Sequence, residues 1–214
     1  MSDALQQLLI DNPAVWRGRS AYAAQFKHWP SGHAQLDNRL PTGGWPDKAL
    51  IELIAPRWGV GEIRLLAPLM RTLSQRQSSQ LWVCPPYLPY APALLGCEIN
   101  LDHVAVVAQT RSEAERHWCI EKALQSGACG LVLAWARQFP RKVLRRLQLA
   151  AEQGNALAVL FCNAPTEHSP AALRLKLSPA LQGVRVDVLK ARGSFATPSI
   201  DVQLPLPFTP PHAA

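Results

Sequence analysis

Residues 49–75 read ALIELIAPRWGVGEIRLLAPLMRTLSQ. The apolar run Ala49–Ile54 predicts a buried strand, and Val60–Gln75 carries apolar side chains at helical spacing. Residues 55–63, which include Gly59, connect the two at the place where a nucleotide-binding fold has its phosphate loop. A working loop has the pattern G-x-x-x-x-G-K-T/S, whose lysine reaches the phosphates and whose hydroxyl helps to hold Mg²⁺. The strand–loop–helix order therefore predicts an α/β fold.

The loop has the position of a phosphate loop but not its chemistry. Gly61 is followed by Glu62 and Ile63, so a carboxylate and a hydrocarbon stand where the ammonium and the metal-ligating hydroxyl are needed. A carboxylate repels a phosphate charge about 4 Å away by roughly 4 kcal/mol at an effective dielectric constant near 20. The sequence therefore predicts a degenerate nucleotide site that uses no nucleotide cofactor.

Strands and helices alternate through the rest of the predicted core. Predicted strands are Leu81–Cys84, His103–Ala108, Gly130–Ala134 and Ala156–Phe161, and predicted helices are Ser112–Gln125, with Ala114, Trp118 and Leu124 inward, and Arg141–Gln153. Short, almost wholly apolar strands that alternate with helices are typical of a mostly parallel sheet covered by helices on both faces. Alternating residues at Leu173–Leu177 and Val184–Leu189 predict a hairpin at the sheet edge.

The ends of the chain are predicted as extensions of this core. Residues 1–28 carry short apolar stripes and form a helical arm, residues 29–165 form the core, and residues 166–214 form a hairpin and a tail. The tail from Arg192 is rich in proline and is expected to be extended and mobile.

Composition limits the class of protein. The chain has 214 residues, 48% of them hydrophobic, and a formal charge of +7, which fits a globular protein that can meet nucleic acid or an acidic partner. Five cysteines without C-x-x-C spacing indicate reduced, buried thiols. The acidic N-terminus predicts no secretory signal, and no apolar run approaches the ~18 residues of a membrane span. We therefore expect a soluble, cytoplasmic protein without a membrane partner.

Two stretches resemble RecA-type recombinases. Residues 31–56, SGHAQLDNRLPTGGWPDKALIELIAP, resemble the approach to the phosphate loop, and residues 126–135, SGACGLVLAW, resemble the strand that ends in the Mg²⁺-site aspartate. Trp135 stands in the place of that aspartate, and the loop after Cys84, PPYLP, lacks the water-activating glutamate of the family. The resemblance therefore implies a RecA-like fold without ATP hydrolysis, and a residual ATPase is the weakest of three hypotheses.

A narrower resemblance covers roughly residues 30–165. The segments QLWVCPPYLPYAPALLGCEINLDHV (80–104), LQSGACGLVLAW (124–135) and RRLQLAAEQGNALAVLF (145–161) are similar to the ImuA/SulA branch of degenerate RecA-like proteins. The arm, the GGWP turn and the long C-terminal extension favour ImuA. That resemblance implies a non-catalytic adaptor in SOS-induced mutagenic translesion DNA synthesis, with ImuB and an error-prone DnaE-type polymerase as partners and RecA as a further one. The alternative is a SulA-like cell-division inhibitor that binds FtsZ.

Three surfaces are candidates for binding macromolecules. A basic cluster can contact DNA or an acidic partner, although a solvated helix face explains it too; it comprises Arg137, Arg141, Lys142, Arg145 and Arg146. Tyr87 and Tyr90 lie in a proline-rich loop at a strand's carboxyl end, where open α/β sheets bind ligands. The tail segment QLPLPF resembles the peptide that engages the bacterial sliding clamp, with Gln203, Leu204, Leu206 and Phe208 as its contacts. The histidines have no ligand spacing, so no metal site is predicted.

Overall fold

The computed structural model describes residues 27–191 and 199–204. An eight-stranded sheet organises this part of the chain. In chain order the strands are β1 (His28–Trp29), β2 (Trp45–Pro46), β3 (Leu50–Ile54), β4 (Ser79–Val83), β5 (Val104–Val107), β6 (Cys129–Trp135), β7 (Leu157–Cys162), β8 (Leu173–Ala180), β9 (Gly183–Ala191) and β10 (Ile200–Gln203). The first two strands pair only with each other, as a small antiparallel ribbon.

The main sheet has the order β10-β9-β8-β3-β7-β6-β4-β5. Its strands from β8 to β5 are all parallel, whereas β9 pairs antiparallel with β8 and β10 pairs antiparallel with β9. The predicted mixed α/β fold with a mostly parallel sheet is therefore confirmed. The predicted hairpin is present as β8 and β9, and it continues the core sheet rather than forming a separate unit.

Five α-helices accompany the sheet within the described ranges: α1 (Ala34–Asp37), α2 (Glu62–Gln75), α3 (Ala91–Gly96), α4 (Glu113–Gln125) and α5 (Arg141–Gln153). Both α2 and α5 are amphipathic and bury one stripe, as their apolar spacing predicts. Ser112 caps α4, because its hydroxyl accepts a hydrogen bond from the Glu115 backbone N–H at 3.1 Å.

The sheet has a buried core on each face. Along β6, Leu131, Leu133 and Trp135 belong to the cluster that includes α2, whereas Val132 and Ala134 belong to the cluster that includes α4 and α5. This alternation follows from the two-residue period of a strand, and it explains why almost every residue of β3, β6 and β7 is apolar. The helices therefore cover both faces, as predicted.

Three local predictions are corrected. Ala114 and Trp118 are exposed, whereas α4 buries Leu124, as predicted, together with Ile120, because the stripe that meets α5 and the sheet lies on another side of the helix. Residues 200–203 form the edge strand β10 and are not a free tail. All five cysteines are free thiols, but only Cys162 is fully buried.

The structure tests the predictions about the chain ends only in part. The predicted arm over residues 1–28 lies outside the described residues except for Lys27 and His28. Residues 192–198 and 205–214 are also outside them. None of the helices that the structure describes is long and apolar enough to cross a membrane.

Candidate functional site

The sites predicted from the phosphate loop and from the proline-rich loop meet at one cleft. Strands β3, β4 and β6 are parallel, so the segments after them lie at the same edge of the sheet. The cleft there has a volume of about 310 Å³, and Gly59, Gly61, Glu62, Ile63, Trp135, Tyr87 and Tyr90 all line it. The structure therefore brings two predicted groups of residues together, and these residues define what we call the strand-end cleft.

Glu62 takes up one backbone N–H group of the degenerate phosphate loop. Its side chain is only 5% exposed, and its Oε1 accepts a hydrogen bond from the backbone N–H of Gly59 at 2.9 Å. A phosphate-binding loop keeps such N–H groups for the ligand. The first residue of α2 thus uses an amide of its own loop and places a carboxylate where the phosphate would bind.

The end of the chain's last described strand covers the other side of the loop. Gly61 has φ +105°, and a Cβ atom at this position would lie 2.9 Å from Cδ1 of Leu204. Leu204 is 5% exposed, and Arg64 Nη2 donates a hydrogen bond to its carbonyl oxygen. The close approach explains why a glycine precedes α2, since any larger residue would be strained in its backbone and crowded by Leu204.

Trp135 fills the place where the family resemblance puts a metal-binding aspartate. It is 4% exposed and stacks on Phe161 with the ring centroids 4.4 Å apart and an interplanar angle of 12°. Trp82 packs against Trp135 at an interplanar angle of 37°, with 5.6 Å between the two ring centroids. Trp82 and Trp135 line the cleft and offer no oxygen ligand for Mg²⁺.

The rim of the strand-end cleft is apolar and exposed. Tyr87 is 74% exposed, Leu88 80% and Tyr90 68%. The loop that carries them begins at Cys84, whose φ of +53° turns the chain out of β4. Contiguous exposed aromatic and aliphatic side chains mark sites of contact with other macromolecules.

The basic cluster lies away from this cleft. Its five residues are all exposed, and four of them lie on α5, which packs on the sheet face opposite to α2. Arg146 forms an ion pair with Glu121 of α4, and its Nε donates to Glu121 Oε1 at 3.2 Å. Contact of this cluster with DNA or with an acidic partner stays a prediction.

The predicted clamp-binding segment is only partly described. Gln203 ends β10 and is exposed, whereas Leu204 is buried against the phosphate loop. Leu206 and Phe208 lie outside the described residues. Binding of this segment to a sliding clamp stays a prediction, but Leu204 would have to leave its buried position in order to take part.

A buried ion pair on the central strands was not predicted. Glu52 of β3 is 1% exposed, and Nε of Arg174 on β8 lies 2.7 Å from its Oε2. Arg174 also donates through Nη2 to the Thr166 carbonyl oxygen at 2.9 Å. A lone glutamate within the apolar run LIELI is the sequence signal that could have indicated a buried partner.

Ionisable groups near the core have shifted pKa values because they are buried. Burial, and then the charge of Glu52, raises the pKa of the Cys162 thiol to about 12. Burial also lowers the pKa of His33, whose Nε2 lies 3.1 Å from the Leu65 carbonyl oxygen. Within the described ranges, no three His, Cys, Asp or Glu side chains gather as a metal site would require.

Comparison with known proteins points to one family. The family model described as "Cell division inhibitor SulA" matches residues 58–158. The cell division inhibitor SulA of Edwardsiella piscicida is 29% identical over 97 residues, which are 45% of this chain and 57% of that protein. SulA of Photorhabdus laumondii is 32% identical over 98 residues, 46% of this chain and 55% of that protein. The matched region thus spans about half the length of these curated relatives.

Among solved structures, SulA from Pseudomonas aeruginosa is similar to this chain, at 22% sequence identity and a TM-score of 0.44. The alignment covers 53% of this chain and 98% of the other.

These comparisons correct the identification as an ImuA-type protein. The matching family model and both curated relatives are SulA proteins, and none of them is an ImuA protein. The expected role as an adaptor in translesion synthesis and the expected partners ImuB and DnaE-type polymerase are therefore wrong. The matched region of residues 58–158 contains residues 58–63 of the phosphate loop, the proline-rich loop, Trp135 and α5.

Proposed function

We propose that this chain is a non-catalytic, SulA-like inhibitor of cell division that acts by binding FtsZ and preventing its assembly. The observation that carries the proposal is the match of residues 58–158 to proteins named as cell division inhibitors. The proposal includes action in the cytoplasm as part of the SOS response. It replaces the interpretation of this chain as an adaptor in mutagenic translesion synthesis.

The geometry of the strand-end cleft supports binding rather than turnover. Glu62 takes up an amide of the phosphate loop, Leu204 covers Gly61, and Trp135 stands in the metal position. A RecA-like scaffold is part of the proposal, and the resemblance of residues 31–56 and 126–135 to RecA-type recombinases supports it. At this cleft, the exposed rim is the feature suited to a macromolecular partner.

We place the FtsZ contact at this rim, with Tyr87 and Tyr90 as its anchors. Tyrosine side chains bury a large area at low cost in conformational entropy, and they are frequent among residues that dominate binding energy. Replacing both with alanine is expected to weaken binding roughly 30-fold or more, since each such truncation costs on the order of 1–2 kcal/mol.

Light scattering of purified FtsZ with GTP tests the proposal directly. Near-equimolar wild-type chain is expected to suppress assembly, the Tyr87→Ala/Tyr90→Ala variant to need a much higher concentration, and Trp118→Ala to act as wild type. Trp118 is a matched control because it is an aromatic residue that is 58% exposed and lies on α4. Absence of any effect of the wild-type chain on assembly, together with normal cell length on overproduction, would overturn the proposed function.

A further inference from the structure

Three buried polar atoms around the strand-end cleft have no hydrogen-bond partner among the residues that the structure describes. They are the indole Nε1 of Trp82, the indole Nε1 of Trp135 and the carboxylate Oε2 of Glu62. The three side chains are 3%, 4% and 5% exposed, respectively, and all of them line the cleft. Because a buried polar group without a partner is costly, their gathering at one opening calls for a ligand that supplies the missing partners.

The chemistry of these atoms selects the kind of ligand. The two indole groups are donors and need an acceptor, whereas the carboxylate oxygen is an acceptor and needs a donor. A cation would serve Glu62 but leave both indoles unpaired. An anion would serve the indoles but meet the charge of Glu62. A carboxamide carries a carbonyl oxygen and an NH₂ group on one carbon, so it can serve both kinds of atom at once.

The net charge of the lining also favours a neutral ligand. Glu62 and Arg64 are the charged residues among those that line the cleft in the described structure, and their charges are opposite. The remaining lining is aromatic, proline-rich or aliphatic, and the rim residues Tyr87, Leu88 and Tyr90 lie beside the opening. Such a lining suits an apolar segment that carries one neutral polar side chain.

We infer that the strand-end cleft binds the side-chain carboxamide of an asparagine or glutamine presented by an apolar segment of the partner protein. The amide oxygen accepts from the indole N–H groups of Trp82 and Trp135, and the amide N–H donates to Glu62 Oε2. The rim residues cover the apolar part of the same segment. The partner's identity rests on the proposed function, but the chemical preference of the cleft does not.

Small fragments test the preference on the full chain without any partner. Propionamide, propionate and propylammonium share a three-carbon chain and differ in the polar group at its end. Each is titrated into ¹⁵N-labelled protein while the indole N–H signals of Trp82, Trp135 and Trp118 are followed by NMR. Trp118, which is exposed on α4, reports non-specific effects, and single Trp→Phe variants assign the signals.

Propionamide alone is expected to shift the Trp82 and Trp135 signals in a saturable manner while the Trp118 signal stays in place. Trp135→Phe and Glu62→Gln are each expected to weaken this binding roughly five-fold, since each removes one hydrogen bond from the set. Equal or larger saturable shifts with propylammonium or propionate would overturn the inference, and so would no shift beyond that of Trp118 with any fragment. The wild-type comparison stands even if a variant fails to fold.

A negative fragment result leaves the proposed function to its own test. If the wild-type chain suppresses FtsZ assembly but no fragment binds at the cleft, the inference about the carboxamide fails alone. If propionamide binds but FtsZ assembly is unaffected, the proposed partner fails and the chemical preference of the cleft stands.

Discussion

Replacing Trp135 with alanine should reveal whether this residue stabilises the fold by packing. The side chain is 4% exposed and stacks on Phe161 at 4.4 Å. Truncation of a buried tryptophan to alanine costs about 3–5 kcal/mol, and loss of an aromatic pair accounts for about 0.5–1.5 kcal/mol of such a change. Because a domain is stable by only about 5–15 kcal/mol, the variant should lose a large part of its stability. Trp135→Phe keeps one ring on Phe161 and should lose less than half as much.

Urea unfolding followed by far-UV circular dichroism measures these losses, with the free energy of unfolding obtained by linear extrapolation. Trp118→Ala serves as the control, because Trp118 is 58% exposed and exposed substitutions usually change stability by less than about 0.5 kcal/mol. A loss below about 1 kcal/mol for Trp135→Ala, or one no larger than the control, would refute the view that Trp135 is a packing residue.

Trp135→Asp extends the test to the lost chemistry. It puts back the carboxylate that the family resemblance places at this position. We expect it to destabilise the fold at least as much as Trp135→Ala, since a charge would replace a ring among Trp82 and Phe161. It should not create binding of Mg²⁺–ATP, because Glu62 still occupies the Gly59 amide. Saturable, Mg²⁺-dependent nucleotide binding by this variant, followed by equilibrium dialysis, would contradict that expectation.

Other parts of the structure give sharper tests of single contacts. Arg174→Met should cost about 3–5 kcal/mol of stability, because it leaves Glu52 buried without its counter-charge. Glu52→Met in the same chain should recover much of that loss. Urea unfolding measures the stability of both variants, and a cost below about 1 kcal/mol for the single change would contradict this expectation. Gly61→Ala should cost about 1–3 kcal/mol of stability, because Gly61 has a positive φ and lies close to Leu204. Leu204→Ala should cost about 2–5 kcal/mol. In a double-mutant cycle the double variant should lose less stability than the sum of the two single losses, whereas strict additivity would show that the residues do not touch. Burial lowers the pKa of His33, so the unfolded chain binds more protons than the folded chain as the pH falls below about 6.5, and the stability of the fold declines there. The free energy of unfolding of His33→Gln, measured near pH 7.5 and pH 5.5, should decline less between the two than that of the wild type. An equal decline would exclude His33 as a cause.

The sequence was sufficient for the main architecture because the strands are both short and apolar. LIELI at β3, GLVLA within β6 and ALAVLF around β7 leave no polar face, and only burial between two helical layers satisfies such strands. The bounds of α5, Arg141–Gln153, agree with the prediction, since proline precedes the helix and glycine follows it. The spacing of the apolar residues, together with the flanking proline and glycine, was enough to predict these elements.

Features that depend on tertiary contacts could not be predicted in the same way. Trp118 is apolar and correctly spaced for a buried stripe, yet α4 turns it outward because Ile120 and Leu124 face α5 and the sheet. Leu204 lies in a proline-rich stretch that has the composition of a linker, but β10 pairs with β9 and brings this residue onto the phosphate loop. A single sequence does not indicate which distant strand a given segment will pair with.

The error in identification has the same physical origin. The choice of ImuA over SulA depended on the extensions, whereas the segments that both families share lie in the core. Part of the C-terminal extension is now seen to be structural: β10 completes the sheet and Leu204 covers Gly61. A segment that forms the edge strand of the sheet does not by itself indicate a docking arm, so its presence does not distinguish an ImuA-type protein from a SulA-type protein.

The arrangement around the phosphate loop also bears on how such a scaffold can change from catalysis to binding. Glu62 takes up a loop amide, Leu204 covers the loop from outside, and Trp135 packs in the metal position. Each of these contacts stabilises the fold by using a group that an ATPase must leave free for its substrate. Glu62→Lys alone is therefore not expected to create nucleotide binding, because the covering leucine and the stacked tryptophan would remain. At this edge of the sheet, the surface left open is the apolar rim at Tyr87 and Tyr90 together with the cleft behind it.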